Sequence, residues 1–245
     1  MIVAALTSFN KGGTGKSTLA ALAAMVPARK PVCIIDADTP GCGSSAILHV
    51  SGPGLAELAW GKAELREVVL EVEVEEAFPT VKGVLGGGDR PRVWVLPRGE
   101  VKAPASMLAE IAIKAALLLR SYANVIVDLP AYPDDSFDVV IENVDVVLLV
   151  ANPDDASIRA VTEREFETSA VVKPVLNKVP NMAWTSRHEK ALRKYGELIK
   201  VPFDPALPLL FHRPEEALRR MRKDTARAIV DLCKAMTMIQ AMRVG

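Results

Sequence analysis

Glutamine is almost missing from this chain of 245 residues, with Gln240 its single instance. A thermophilic source, which sheds thermolabile amides, and a biased genome would both produce that depletion. Cysteine is scarce as well. Cys33, Cys42 and Cys233 are odd in number and lack C-x-x-C spacing, which argues against a disulfide framework or a zinc site built within the chain. Reduced thiols are expected, with Cys42 structural rather than redox-active. No apolar run approaches the roughly 18–20 residues of a membrane-spanning helix. Met1 runs into Ile2–Leu6 without a basic n-region or a cleavage site, so no signal or transit peptide is read and the cytoplasm is the expected location.

Net charge is absent too, with 30 Lys+Arg against 30 Asp+Glu, but the balance is uneven along the chain. Residues 185–245 carry 13 basic against 7 acidic side chains, so the last quarter is a basic helical segment at +6 and the rest stands at −6. Half of all residues are hydrophobic, which excludes disorder and gives a length able to bury a large core.

Short apolar runs bounded by turn residues recur at Ile2–Leu6, Val32–Ile35, Val93–Leu96, Val125–Val127, Val146–Val150, Val171–Leu176 and Ile199–Val201. They read as buried, parallel strands. Helical stretches at Lys16–Val26, Pro104–Tyr122, Asp154–Thr168 and Ser186–Tyr195 alternate with them, as β-α-β units require. The expectation is one α/β domain over residues 1–245, with a doubly wound, mostly parallel sheet flanked by helices. Residues 64–89 stay open: the Glu/Val alternation from Glu71 to Glu76 suits an edge strand or a helix, and Gly86-Gly87-Gly88 reads as a turn.

The first strand leads into Asn10-Lys11-Gly12-Gly13-Thr14-Gly15-Lys16-Ser17-Thr18 and then an Ala/Leu-rich helix. Glycines let successive N–H groups converge on phosphate oxygens, and the helix dipole favours negative charge there. Lys16 would neutralise phosphate charge and the Ser17 hydroxyl would ligate Mg²⁺. The usual G-x-x-x-x-G-K-[ST] pattern fails at Asn10, whereas K-G-G-x-G-K-[ST] fits. Gly12, Gly13, Thr14, Gly15, Lys16, Ser17 and Thr18 are therefore the candidate nucleotide-binding residues of a P-loop NTPase fold.

With that loop the chain resembles the ParA/MinD family of deviant Walker A ATPases, a resemblance that covers most of its length. It implies ATP and Mg²⁺ as ligands, a homodimer formed with ATP, and Lys11 acting in trans on the partner's phosphates, as an arginine finger does. Ile34-Ile35-Asp36-Ala37-Asp38-Thr39-Pro40-Gly41 is similar to the family's D-x-D segment. By resemblance Asp38 orients the attacking water, making Lys11, Lys16 and Asp38 the catalytic set, while Asp36 supports the metal shell. Val125-Ile126-Val127-Asp128-Leu129-Pro130 looks like its Walker B strand, with Asp128 holding Mg²⁺ through water. Relatives often carry a glycine soon afterwards, but this chain reads Ala131-Tyr132-Pro133, which leaves γ-phosphate sensing unassigned. Val175-Leu176-Asn177-Lys178 resembles the segment whose asparagine reads adenine. Val201-Pro202-Phe203-Asp204-Pro205 resembles the loop against the base, adding Pro202, Phe203 and Asp204.

Relatives use the ATP dimer as a switch, and several surfaces fit the sequence. In the ParA-like reading, Arg187, Lys190 and Lys194, and then Arg219, Arg220, Arg222 and Lys223, bind DNA without sequence preference during segregation or positioning; Arg220, Lys223 and Arg227 share a face if their stretch is continuous helix. In a MinD-like reading the final helix, with Ile229, Leu232, Met236, Ile239 and Met242, anchors to membrane, although core packing suits so broad an apolar surface better. A metallocluster-assembly ATPase lacks its paired cysteines here. A non-hydrolysing nucleotide-binding adaptor follows from the missing glycine after Pro130. An adaptor or activator protein is a further partner that the family implies.

Overall fold

The apolar runs at the centre of the sheet send alternate side chains into two different cores. β1 (Val3–Thr7) gives Ala4 and Leu6 to one core and Val3 and Ala5 to the other. β2 (Val32–Asp36) divides Val32 and Ile34 from Cys33 and Ile35 in the same way. A strand buried on both faces needs apolar residues throughout, which makes such runs visible in sequence. The computed structural model describes residues 1–39, 41–74, 81, 84, 90–180 and 183–243.

The other strands are β3 (Leu70–Val72), β4 (Val93–Leu96), β5 (Asn124–Asp128), β6 (Val146–Ala151), β7 (Val171–Val179) and β8 (Ile199–Pro202). They form one eight-stranded sheet in the order β3-β4-β2-β5-β1-β6-β7-β8. All neighbours are parallel except β3, which runs antiparallel to β4. The alternation of strands and helices thus produces the doubly wound α/β sheet that it predicts. Within the open region, an edge strand forms at Leu70–Val72; residues 75–80 and the Gly86-Gly87-Gly88 turn lie outside the described residues.

One face of the sheet carries α1 (Lys16–Ala24) and α2 (Ser44–Ile47). The other carries α3 (Leu55–Ala59), α4 (Leu65–Val68), α5 (Ala105–Leu119), α6 (Asp138–Asn143), α7 (Asp155–Thr162) and α8 (Ser186–Leu192). The chain returns to the first face with α9 (Pro214–Arg220) and α10 (Lys223–Arg243). α1 is buried almost all round, as a helix between a sheet and a second helix layer must be.

Two helices differ from the sequence expectation. α7 stops at Thr162 rather than Thr168, because Arg164 turns to Asp138 at 2.7 Å and Thr168 Oγ1 donates to the Ile141 carbonyl at 2.7 Å. The basic stretch around Arg220 is not one helix: Met221 takes an extended ψ of 136° between α9 and α10, so Arg220, Lys223 and Arg227 do not continue a single helical face. In α10, Ile229, Leu232 and Met236 are buried in the core, the packing that competes with membrane anchoring; the side chains of Ile239 and Met242 lie outside the described residues. Among the described residues no helix is long and apolar enough to cross a membrane.

The edge opposite the loops described below is pinned by Asp145, whose Oδ2 accepts from the Val3 N–H at 2.9 Å while Oδ1 pairs with Arg120 at 3.3 Å. Asp145→Ala leaves a buried strand N–H without that acceptor and should cost about 1–3 kcal/mol. Urea unfolding checks this: the midpoint should fall with the slope unchanged, and a wild-type midpoint would refute it.

Candidate functional site

At the end of β1 the backbone turns through Phe9, whose φ of 44° is rare for a non-glycine residue. Its ring is wholly buried against Phe166, with centroids 5.2 Å apart and the Arg164 guanidinium 5.1 Å from the ring centroid. Packing thus holds a conformation that costs on the order of 1 kcal/mol or more. The Lys11 N–H donates to the Phe9 carbonyl at 2.6 Å, and the Ser8 hydroxyl to the Lys11 carbonyl at 2.6 Å. α1 then starts from Gly15 at φ 91°, where a Cβ would lie 2.3 Å from Asn177 Nδ2. Only glycine meets both demands.

Side chains from the ends of β6 and β7 hold the loop by its carbonyls. Lys178 Nζ donates to the Gly13 carbonyl at 2.6 Å and Asn152 Nδ2 to the same oxygen at 3.3 Å, while Asn177 Nδ2 donates to the Thr14 carbonyl at 2.7 Å. A trans peptide directs its C=O and its N–H to opposite sides. Tying back the Gly13 and Thr14 carbonyls therefore turns the Thr14 and Gly15 N–H groups the other way, and the following helix adds its own free N–H groups.

Two acids stand behind the loop. Asp36 and Asp128 are paired in register at the ends of β2 and β5, and both are buried. Asp36 accepts from the Asp38 N–H at 3.0 Å and the Ser45 N–H at 2.8 Å; Asp128 Oδ2 accepts from the Ser44 N–H at 3.1 Å. The start of α2 thus reaches both carboxylates, and it comes so close that a Cβ on Gly43 would lie 2.1 Å from Asp36 Oδ1. Burial pushes Asp128 up to about 7, aided by the charge of Asp36 and opposed by Lys16 and the Ser17 hydroxyl. Burial raises Asp36 as well, against the N–H groups it accepts from. Arg98, from the loop after β4, is near enough to Asp36 and Glu57 to feel their charges.

Asp128 Oδ1 is buried with no hydrogen-bond partner, and the Ser17 hydroxyl is beside this carboxylate. One hydroxyl and one carboxylate oxygen suit a hard cation that keeps water and phosphate oxygens as its other ligands, the habit of Mg²⁺. Among the described residues no group of three or more His, Cys, Asp or Glu side chains forms a protein cage for a metal ion.

In front of the loop lies a cleft of about 550 Å³, within the range of small-molecule sites. Gly13, Thr14, Gly15, Lys16, Ser17 and Thr18 line it along one side with Asp38. Asn177, Pro202, Phe203 and Asp204 line it further along, joined by Phe211. Lys11 and Gly12 are half-buried at the loop's near end. Asn177 Oδ1 is buried without a partner, leaving an acceptor that its own amide nitrogen holds in place. Asp204 faces the cleft but is tied by the Ala206 N–H at 3.0 Å and the Arg222 N–H at 2.8 Å, so it shapes the loop around Phe203. Cys42 also lines the cleft and is exposed, so packing is not its role; all three thiols are free.

The seven basic candidates do not share one surface. Arg187, Lys190 and Lys194 belong to α8 and its extension, over the core that holds Leu192. Arg219, Arg220, Arg222 and Lys223 surround the joint between α9 and α10, over the opposite core. Arg220 pairs with Glu216 at 2.8 Å and Arg222 with Asp224 at 2.9 Å. Linear charge counting cannot see which face of a sheet a helix covers.

Sequence reasoning does not find Phe9, Gly43, Phe211 or the lysine ammonium of Lys178 as parts of this site. The adjacency of Lys178 to Asn177 is the signal for the last. It sits at φ 57° in a β7 irregularity, which lets consecutive side chains both reach the loop.

No protein-family model matches the chain, and neither does any curated protein. Solved structures do resemble it. A ParA family ATPase from Chlorobium tepidum TLS is 18% identical, with a TM-score of 0.71 over 95% of this chain and 97% of that one. An ATP complex of McdA from Cyanothece is 14% identical, also with a TM-score of 0.71, over 96% of each chain. The septum site-determining protein MinD from Pyrococcus horikoshii OT3, complexed with Mg-ADP, is 19% identical with a TM-score of 0.64 over 98% of each. The fold is that of the ParA/MinD-type P-loop ATPases.

The paired acids give a pH dependence of known sign. Folding raises Asp128 to about 7 and raises Asp36, so between about pH 4 and 7 the folded state binds more protons than the unfolded chain. Their contribution to stability therefore falls as pH rises through that window and is lowest above it. Asp128→Asn removes one of the two charges; the nucleotide-free variant should melt above wild type at about pH 8 and lose less stability between about pH 5.5 and 8. Calorimetry measures both, and a variant that melts lower at the alkaline end contradicts this account.

Proposed function

We propose that this chain is a Mg²⁺-dependent ATPase that dimerises on ATP and works as a switch in DNA segregation or intracellular positioning. The observation that carries the reading is the cleft itself, which the loop, Lys16 and Ser17 line together with Asp38, with the buried, half-satisfied Asp128 behind. Lys16 neutralises the β/γ-phosphates, and Ser17 and Asp128 hold the cation, with Asp36 supporting its shell through the loop it orders. The cation, when bound, withdraws charge from the phosphoryl oxygens as they take it up.

Asp38 orients the attacking water. Lys11, on the outer end of the loop, acts on the phosphates of a second copy, so full charge stabilisation exists only in the dimer. Asn177 presents its free Oδ1 to the adenine amino group, and Pro202, Phe203 and Phe211 supply apolar and aromatic surface for the base. The solved relatives bound to ATP or Mg-ADP support this assignment of ligands.

For the output surface the joint between α9 and α10 is the better DNA site. It gathers four cations within five residues, and its backbone at Arg222 is bonded to Asp204, a residue of the cleft. The α8 cations lie over the other core, and Arg187 there is 4.0 Å from Asp155.

Titration of a labelled, non-hydrolysable ATP analogue should give saturable binding to wild type and none to Lys16→Ala. Light scattering with ATP should give a dimer mass for wild type and for Asp38→Ala, with turnover lost in Asp38→Ala and in Lys11→Ala. Equal binding by Lys16→Ala would sink the phosphate-loop assignment. A dimer that never turns over would favour a nucleotide-binding adaptor.

The ATP dimer should bind duplex DNA of any sequence and lose on the order of 10³-fold in affinity between about 50 and 200 mM salt. Neutralising Arg219, Arg220, Arg222 and Lys223 together should weaken binding on all sequences and flatten that slope, whereas neutralising Arg187, Lys190 and Lys194 should do less. Filter binding over a salt series decides it; a quadruple variant that binds like wild type removes DNA from the proposal.

A further inference from the structure

Pro130 and Pro133 bracket Ala131 and Tyr132 in the loop that leaves β5. The loop is fixed at both ends. The Leu129 N–H donates to the Leu6 carbonyl at 3.3 Å, and Asp134 accepts from the Ser136 N–H at 2.9 Å as the 3₁₀ turn Asp135–Phe137 begins. Proline has no N–H, so from Pro130 to Pro133 the backbone can offer an anion only two donors. No glycine stands here to bring its backbone close to a phosphate.

An uncommitted phenol stands here instead. Tyr132 is 69% exposed and lines the cleft with Lys16, Ser17 and Asp38. Its ring lies over the phosphate loop: a Cβ placed on Gly12 would be 3.6 Å from Tyr132 Oη and 3.7 Å from its Cε2. Among the described residues its hydroxyl has no hydrogen-bond partner. A donor O–H therefore stands at the Lys11–Gly12 end of the loop, free to meet whatever enters there.

We propose that Tyr132 is the γ-phosphate sensor of this cleft, its phenol O–H donating to the terminal phosphate of a bound triphosphate. The proposal rests on reading the cleft as an ATP site. A side chain then adds a donor to the two that the loop's backbone can offer. A neutral hydroxyl donates without first bringing a second charge out of water, and the oxygen it meets exists in a triphosphate and not in a diphosphate. The contact therefore discriminates between the two nucleotides while leaving their shared phosphates to the loop.

The experiment titrates a labelled, non-hydrolysable ATP analogue and labelled ADP, each with Mg²⁺, into wild type, Tyr132→Phe and Tyr132→Ala. Tyr132→Phe keeps the ring and loses only the donor. It should bind the triphosphate about tenfold more weakly and ADP within about twofold of wild type, as expected for one hydrogen bond to a charged group. Tyr132→Ala should show at least the same triphosphate-selective loss, and both should melt with wild type because the side chain is exposed. Wild-type triphosphate affinity in Tyr132→Phe, or equal losses for both nucleotides, overturns the proposal while the ATP-site reading stands. A wild-type protein that binds neither nucleotide overturns that reading and this proposal together.

Discussion

Asp36 and Asp128 end adjacent parallel strands in register, so two strands with apolar interiors bring two neighbouring carboxylates to the loop-bearing edge of the sheet. Like charges out of water repel strongly, and the surrounding structure has to offset that. The N–H groups of Ser44 and Ser45 do part of it, which fixes where α2 begins and requires a residue without a side chain at position 43. Lys16 does another part, which ties the start of α1 to the same spot. The positions of Asp38 and Gly43 and both helix starts are thus arranged by one electrostatic problem. A cation at the free oxygen of Asp128 would relieve the remainder.

The phosphate loop answers to a different demand, that of orientation. Its glycines permit many shapes, and the shape adopted is imposed from outside by Asn152, Asn177 and Lys178 pulling on carbonyls. Phe9 does the same from within, clamped between Phe166 and Arg164, whose carboxylate partner Asp138 belongs to α6. Elements far apart in sequence therefore determine which way a few N–H bonds point.

Much of this was legible in the sequence because it rests on local rules. The buried strands follow from apolar runs between turn residues, and the loop from glycine and lysine spacing. Asp36 and Asp128 follow from acids placed directly after such runs. What sequence cannot provide is anything decided by facing direction. Phe9 is an ordinary aromatic until its neighbours are known. The helix from Asp155 ends early because Arg164 has distant partners. The basic residues split between two faces of the sheet because β8 intervenes between α8 and α9, and Met221 breaks the second group into two helices, although by charge count they form a single block. Asp204 lines the cleft as its place in the Pro202-Phe203-Asp204 loop suggests, but that its two oxygens accept from the Ala206 and Arg222 N–H groups is visible only in the fold.

β1 is the first strand made and lies near the middle of the sheet, between two strands that follow it by more than 100 residues. The side chains that hold its loop come later still, with Asn177 and Lys178 separated from their carbonyl partners by 163 and 165 positions. During synthesis the phosphate loop thus emerges early and spends most of elongation without the groups that shape it. Contacts of such long sequence separation form late, since the intervening chain must first be ordered. A nascent chain that ends before β7 contains every residue of the loop but only Asn152 of the three side chains that hold its carbonyls, so the set of tethers is complete only once about three-quarters of the polypeptide is available to fold.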